Sequence, residues 1–373
     1  MLRFLAALGA IGVFPGGVAL ARRVSRREDS ARDGSKGQGK GRDSAKAPWR
    51  AGHQLVVVLL QGGPDGLSMV APVRDPRYAY LRPTTALAPD CGGVDLGEGF
   101  LLHPALAALA PHYAQKRLAV IPACAMPDVQ AVHAAALADF AHGAPSQGKG
   151  GKNGWLGRLA LALGGGEAQM LVASQSETYA GAPHFNMIAP GRGPSLPEIP
   201  VEDQALFETA GKLFSDQGAL GKAFAVGREA RQEVLAKFLQ ESHRAAAGAI
   251  PAPAFPEFAE HFGRELARRR DAALGFLAVG GFDTHSGQGG VKGYLADRLR
   301  ETAEGLSRLA AGLGKALEDT VIIALGEFGR SARENAFGGT DNGQGGVMLV
   351  LGGPVAGGKL YGEWPGLSTH RLA

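Results

Sequence analysis

The chain has 373 residues, enough for one large domain or two smaller ones, and its hydrophobic content of 45% is ordinary for a globular core. Its formal net charge is +4, but residues 22–52 alone contain ten Lys or Arg against four Asp or Glu. With Arg3 also set aside, residues 53–373 carry about −3, which excludes the basic body that nucleic-acid binding requires.

The N-terminal part reads as a targeting segment and a linker. Residues 4–21 are apolar but interrupted by glycine and proline, so they make a poor membrane-spanning helix, and Ala19-Leu20-Ala21 is typical of a secretory cleavage site. This predicts an exported, periplasmic protein, although four arginines after the segment oppose export. Residues 22–52 lack apolar periodicity and predict a basic disordered linker, with one α/β domain over residues 53–373.

The body alternates between short apolar runs and helical patterns. Strands are expected at 54–60, 117–121, 170–173, 274–279, 320–325 and 347–351, and helices at 103–114, 133–140, 155–159, 202–246, 257–273 and 294–317. Residues 180–200 are rich in proline and glycine and predict an irregular excursion over the sheet edge. Strands that alternate with helices favour a mostly parallel, doubly wound sheet.

Polar residues follow two of these strands directly. Asp283 and His285 come after the run at 274–279, and their spacing of two points both side chains the same way on an extended backbone. They are either half of a metal site or a hydrogen-bonded loop pair. Asp65 lies just past the strand at 54–60, where it is a ligand or a turn former. Ligands in open α/β sheets bind outside such strand ends.

Several motifs occur in a recognisable order. They lie at 62–67, 102–106, 154–158, 280–285 (Gly-Gly-Phe-Asp-Thr-His), 327–330 (Glu-Phe-Gly-Arg), 339–341 and 358–366. On these motifs, residues 54–368 resemble the DUF1501 family of bacterial exported proteins, which are sulfatase-like members of the alkaline-phosphatase superfamily.

The resemblance implies a three-layer sheet of alkaline-phosphatase-like type that carries a metal-dependent site for phosphate or sulfate esters. The substrate would be an ester of a small molecule or a polysaccharide. The nearest hydroxyls for a nucleophile are those of Ser68 and Thr284. Expected metal ligands are Asp65, Asp283, His285 and Glu327, although Glu327 could instead pair with Arg330 or Arg333.

The chain departs from the family pattern at the glycine-rich turn. Asn342 and Gln344 stand where the family usually has two histidines. Oxygen donors then dominate, which predicts weak binding of Mg²⁺, Ca²⁺ or Mn²⁺ rather than Zn²⁺. The chain also stops soon after the 358–366 motif, so the C-terminal sheet elements are expected to be missing.

Three functions remain open: a metal-dependent ester hydrolase with a degenerate site, a relative that binds a ligand or partner without turnover, and a truncated non-functional product. A formylglycine sulfatase is excluded because Ala-Met-Pro-Asp follows Cys124, and neither a Gly-x-Ser-x-Gly elbow nor a dinucleotide fingerprint occurs. Cys91 and Cys124 are free thiols or one bridge. His103 and His133 are expected to satisfy local hydrogen bonds, and His184 lies in the Pro/Gly-rich excursion, where no functional contact is expected.

Overall fold

The structure is a computed structural model, and it describes residues 52–126, 131–143, 153–164, 169–189, 204–214, 218–269 and 271–368. The signal-like segment and the predicted linker, up to residue 51, lie outside these ranges. Within them, no helix combines the length and the apolar character that crossing a membrane requires.

The strands and helices follow one another through the whole described region. The strands are β1 (Gln54–Gln61), β2 (Val70–Ala71), β3 (Val94–Gly97), β4 (Phe100–Leu102), β5 (Leu118–Cys124), β6 (Gln169–Val172), β7 (His184–Met187), β8 (Ile250–Pro251), β9 (Ala272–Gly280), β10 (Thr320–Gly326), β11 (Arg330–Glu334), β12 (Thr340–Asn342), β13 (Gly346–Gly352) and β14 (Lys359–Leu360). The α-helices are α1 (Gly66–Met69), α2 (Tyr78–Leu81), α3 (Ala110–Ala114), α4 (His133–His142), α5 (Trp155–Gly164), α6 (Gln204–Phe214), α7 (Gly218–Ala245), α8 (Phe255–Arg268) and α9 (Tyr294–Leu313). Short 3-10 helices lie at Pro104–Leu109, Glu177–Tyr179, Ala252–Ala254 and Gly314–Asp319.

Nine strands form the central sheet, in the order β14-β5-β13-β10-β1-β9-β6-β7, with β8 paired to β9. The pairs of β1 with β9 and β10 are parallel, as are those of β6 with β7 and β9. β13 is antiparallel to both of its neighbours, β10 and β5. The predicted mixed α/β fold with a mostly parallel sheet is therefore confirmed.

Helices cover both faces of the sheet, and β1 shows how its sequence divides between them. Val56 and Leu60 pack on one face, in a core cluster that includes apolar residues of α8 and α9. Leu55 and Leu59 pack on the other face, with residues of α4 and α5. Because a strand alternates its side chains, a continuous apolar run serves two helix layers at once. The fold has three layers.

The largest differences from the sequence prediction lie at the edge and in the helical region. The Pro/Gly-rich segment supplies a regular strand, His184–Met187, that pairs in parallel with β6 at the sheet edge. Residues 190–203 of that segment lie outside the described residues. The helix predicted at 202–246 is two helices, α6 and α7, and the one predicted from 103 begins as a 3-10 helix.

Candidate metal centre

The candidate centre lies at the carboxyl ends of β9 and β10. These strands flank β1 and run parallel to it, so their C-terminal ends meet at one edge of the sheet. Asp283 and His285 follow β9, and Glu327 follows β10. His133 is the first residue of α4, after β5. Four side chains from distant parts of the sequence are therefore placed at one sheet edge.

His133, Asp283 and His285 each offer a ligand atom, and these atoms lie within 4.8 Å of one another. Asp283 Oδ1 is 3.3 Å from His133 Nε2 and 3.2 Å from His285 Nε2. The other ring nitrogen of His133, Nδ1, is 2.9 Å from Glu327 Oε1. His133 thus bridges the two carboxylates, and two imidazoles converge on Asp283.

A surrounding layer of hydrogen bonds holds these side chains in place. Arg330, which is buried, contacts Asp283 Oδ1 through Nη2 at 2.5 Å and donates from Nε to the carbonyl of Gly63 at 2.7 Å. The backbone amide of Gly62 donates to Glu327 Oε1 at 2.9 Å. The geometry of the donors is therefore fixed by the protein itself.

The turn after β1 can take this position only because it has no side chain there. Gly62 has a φ of +112°, and a Cβ atom on it would lie 2.4 Å from the backbone nitrogen of Asp283. Any other residue at this position would push the β1 turn away from the ligand-bearing loop.

Two buried carboxylate oxygens of the centre have no hydrogen-bond partner, Oδ2 of Asp283 and Oε2 of Glu327. Asp283 and Glu327 are each 1% exposed and His285 is 7% exposed. Nε2 of His133 and Nε2 of His285 both face one oxygen, Asp283 Oδ1, at 3.3 and 3.2 Å. Leaving a buried polar atom unpaired costs about 1–3 kcal/mol, so such atoms are rare unless they serve a ligand.

The charges of the centre are strongly coupled. Burial alone would lower the pKa of His133, but hydrogen bonds and charge attraction from Asp283 and Glu327 outweigh it and raise this pKa to about 9. Burial would raise the pKa of Asp283, yet His133 and Arg330 lower it to about 2. The pKa of His285 is lowered, chiefly by burial. At neutral pH the ligand-free centre therefore holds an imidazolium at His133, a carboxylate at Asp283 and a neutral imidazole at His285.

Comparison with known families assigns the chain. Residues 96–372 match the profile of DUF1501, which is described as a protein of unknown function. The match covers more than half of the chain. The chain belongs to the DUF1501 family. His133, Asp283, His285 and Glu327 all fall within the matched range, whereas Asp65 and Ser68 precede it. A comparison with curated proteins gave no match.

Solved structures resemble this DUF1501 protein only distantly. The structure of Ps i-CgsB in complex with k-i-k-neocarrahexaose is 12% identical with a TM-score of 0.40, over 83% of this chain and 68% of that one. An alkaline phosphatase superfamily protein from Vibrio parahaemolyticus is 10% identical with a TM-score of 0.38, over 83% and 62%. The zinc complex of the C-terminal periplasmic domain of EcEptC from Escherichia coli is 10% identical with a TM-score of 0.38, over 82% and 74%. Similarity at this level carries no information about ligands or activity.

Asp65 is placed in a separate buried network of this DUF1501 protein. Arg82 forms a bidentate ion pair with the Asp65 carboxylate. The distance between Nη2 and Oδ1 is 2.8 Å. Ser68 Oγ and Gln288 Nε2 each donate to Asp65 Oδ2 at 2.7 Å. Burial would raise the pKa of Asp65, but Arg82 and these donors lower it. Its oxygens are already occupied, and it is not among the donors that meet at Asp283.

The two hydroxyls proposed as nucleophiles belong to the same network. Ser68 Oγ donates to Asp65, as described above. Thr284 Oγ1 donates to Gln288 Oε1 at 2.8 Å, and the hydroxyl of Thr340 donates to the same oxygen at 2.8 Å. An aspartate whose pKa is lowered by Arg82 is a poor base for activating Ser68.

The sequence interpretation did not identify His133, which was expected to make only local hydrogen bonds. Its partners lie on β9 and β10 loops, more than a hundred residues away in the sequence. His103 bonds locally through Nδ1, which accepts from the amide of Ala105 at 2.9 Å, and its Nε2 lies 3.1 Å from the distant carbonyl oxygen of Gly290. His184 is exposed on β7. The one signal that could have found it is the family resemblance, in which Val132-His133-Ala134 stands where the family usually has Ser-His-Phe.

Asn342 and Gln344 differ in their positions. Asn342 is partly buried, its Nδ2 donates to the carbonyl of Ala131 at 3.0 Å, and its Oδ1 has no hydrogen-bond partner. Gln344 is exposed.

The two cysteines are free thiols, and burial raises the pKa of Cys124 to about 11.

Proposed function

We propose that this DUF1501 protein is a metal-dependent hydrolase of phosphate or sulfate esters and that His133, Asp283, His285 and Glu327 hold its metal. The observation that carries the proposal is the convergence of three ligand atoms, one each from His133, Asp283 and His285, within 4.8 Å of one another. The buried oxygens Asp283 Oδ2 and Glu327 Oε2, which have no hydrogen-bond partner, support it. A cation would satisfy the three converging atoms at once, because each has a lone pair when its group is deprotonated.

The donor set fits a divalent cation. Our sequence expectation of Mg²⁺, Ca²⁺ or Mn²⁺ assumed that His285 was the single histidine ligand. His133 adds a second imidazole, so two nitrogen and two carboxylate donors are at hand, and such a set also suits Zn²⁺. We propose Zn²⁺ and Mn²⁺ as the cations to test beside Mg²⁺.

When bound, the metal would polarise an ester oxygen and acidify a water molecule. The residues around the metal would hold its ligands in position. Arg330 keeps Asp283 ionised and fixed through a 2.5 Å contact, and Gly62 holds one oxygen of Glu327 through a 2.9 Å hydrogen bond. The hydroxyl of Ser68 donates a hydrogen bond to Asp65, and that of Thr284 donates one to Gln288. Because both hydroxyls are engaged in this way, water is the proposed nucleophile.

Two further predictions from the sequence accompany the proposal. We propose one domain over residues 53–373, because β1 at its start and β14 near its end belong to the same sheet. We also propose export, on the signal-like sequence of residues 4–21. Binding without turnover is the second candidate function, and the near-complete burial of Asp283 and Glu327 is the observation that favours it.

The test is metal loading followed by turnover. The protein is stripped with a chelator and equilibrated with each cation, and bound metal and hydrolysis of p-nitrophenyl phosphate and p-nitrophenyl sulfate are measured. We expect about one ion per chain, with affinity reduced at least about tenfold in His133→Gln and Asp283→Asn. His184→Gln, at an exposed histidine, is the matched control. Metal without hydrolysis would favour the binding function, and equal metal content in all variants would refute the site.

A further inference from the structure

Helix α7 lies across the candidate centre. The ring of Phe238 stacks on the imidazole of His285, with centroids 4.7 Å apart and an angle of 13° between the planes. Phe337, from the segment between β11 and β12, meets Phe238 edge-on at 5.6 Å, and the guanidinium of Arg231 lies 4.7 Å from the Phe337 ring centre. Arg231 and Phe238 are seven residues apart, so one face of α7 carries both contacts.

In this arrangement the centre exposes little more than His133, whose side chain is 12% exposed. His285 is 7% exposed, and Asp283 and Glu327 are each 1% exposed. A charged ester that is to contact these groups must have a path to them. Since the face of His285 is occupied by Phe238, opening that face requires the Phe238 ring to leave.

Helix α7 is attached mainly through its C-terminal half. Its buried residues are Leu235, Ser242 and Ala245, and residues 218–234 contain none. Beyond its end the chain is anchored against β9, because a Cβ on Gly280 would lie 2.9 Å from the Cβ of Ala246. Phe238 lies in this anchored half, between Leu235 and Ser242, and is itself only partly buried. Its ring can therefore leave His285 by rotating about its own side-chain bonds while the helix stays in place.

We propose that α7 is a cap over the centre and that Phe238 determines access to His285. With the ring stacked, Phe238 covers the imidazole; when the ring rotates away, that face of His285 opens. The purpose of this cap rests on the proposed function. The contact itself can be tested in the metal-free protein without any turnover, so the two ideas can fail independently.

Chemical modification of histidine measures the access directly. The metal-free full chain is treated with diethyl pyrocarbonate, and modification of each histidine is followed over time by peptide mass spectrometry. His285 in the wild type is expected to react more slowly than His184, which is exposed on β7. Phe238→Ala is expected to accelerate His285 about fivefold, the factor that corresponds to losing one aromatic pair.

The matched control is Phe224→Ala, which removes an aromatic residue from the same helix. Phe224 pairs with Phe214 at 5.3 Å, away from His285, so the rate at His285 should not change. His103, which is fully buried, reports whether a variant stays folded. A wild-type His285 as reactive as His184, or an unchanged rate in Phe238→Ala with His103 protected, would overturn the proposal.

Discussion

The protonated His133 predicts a pH-dependent contribution to stability that can be isolated by one substitution. His133 lies between Asp283 and Glu327, at 3.3 Å and 2.9 Å, and its side chain is 12% exposed. His133→Gln keeps a polar side chain at this position and removes the positive charge. In the metal-free protein, the variant should therefore lose the attraction to both carboxylates while the fold is kept.

The magnitude follows from the pKa. His133 has a pKa of about 9 in the folded protein against 6.5 when unperturbed. This difference corresponds to about 3 kcal/mol of unfolding free energy. Because the folded pKa is the higher one, the contribution is fully present below pH 6.5 and disappears as the pH rises through 9. Asp283, whose pKa is lowered to about 2, titrates far below this range and does not interfere.

The assay is urea unfolding of both proteins in the presence of a chelator at pH 6, 8 and 10. We expect the variant to be about 3 kcal/mol less stable at pH 6, with a gap that shrinks at pH 8 and closes at pH 10. The substitution His184→Gln, on exposed β7, should show no such trend. An equal gap at pH 6 and pH 10 would show that His133 contributes packing and not charge, and the electrostatic argument would be wrong.

Three further predictions concern the surroundings of the centre. Arg82→Met leaves Asp65, which is 1% exposed, without its cation, so urea unfolding should show a loss of about 3–5 kcal/mol, and Arg77→Met at an exposed site should change little. Gly62→Ala should lower both stability and bound metal, because its Cβ would lie 2.4 Å from the backbone nitrogen of Asp283. Gly92 also has a positive φ, but a Cβ there meets no atom within 4 Å, so Gly92→Ala should keep the metal. Asn342→His should raise metal affinity and Gln344→His should not, as judged by bound metal, because Gln344 is exposed; a gain from Gln344→His alone would contradict this placement.

The sheet could be predicted from the sequence because its strands are buried on both faces. Runs such as the one in β1 are apolar at every position, and they mark the strand without marking its direction. The run of β13 has the same appearance, although β13 is antiparallel to β10 and β5. Direction depends on how the preceding loop folds, and an apolar run contains no record of that.

The centre could be predicted only in part, for a similar reason. The end of a parallel strand is a position that the sequence reveals, and this located Asp283, His285 and Glu327 correctly at strand ends. Which partners meet there is decided by tertiary packing. Asp65 also follows a strand, yet it pairs with Arg82, and His133 reaches the centre from the start of a helix. Neither contact leaves a pattern in the local sequence.

The guanidinium of Arg330 fastens together parts of the chain that come from three different strands. It contacts the carboxylate of Asp283 and the carbonyl oxygens of Gly62, Gly63, Phe282 and Thr340. This brace contains no metal, so we expect the pocket to keep its shape when the proposed cation is removed. In a zinc finger, by contrast, loss of the metal unfolds the chain. For this protein, the supply of metal would set how many folded molecules are active, while the number of folded molecules would stay the same.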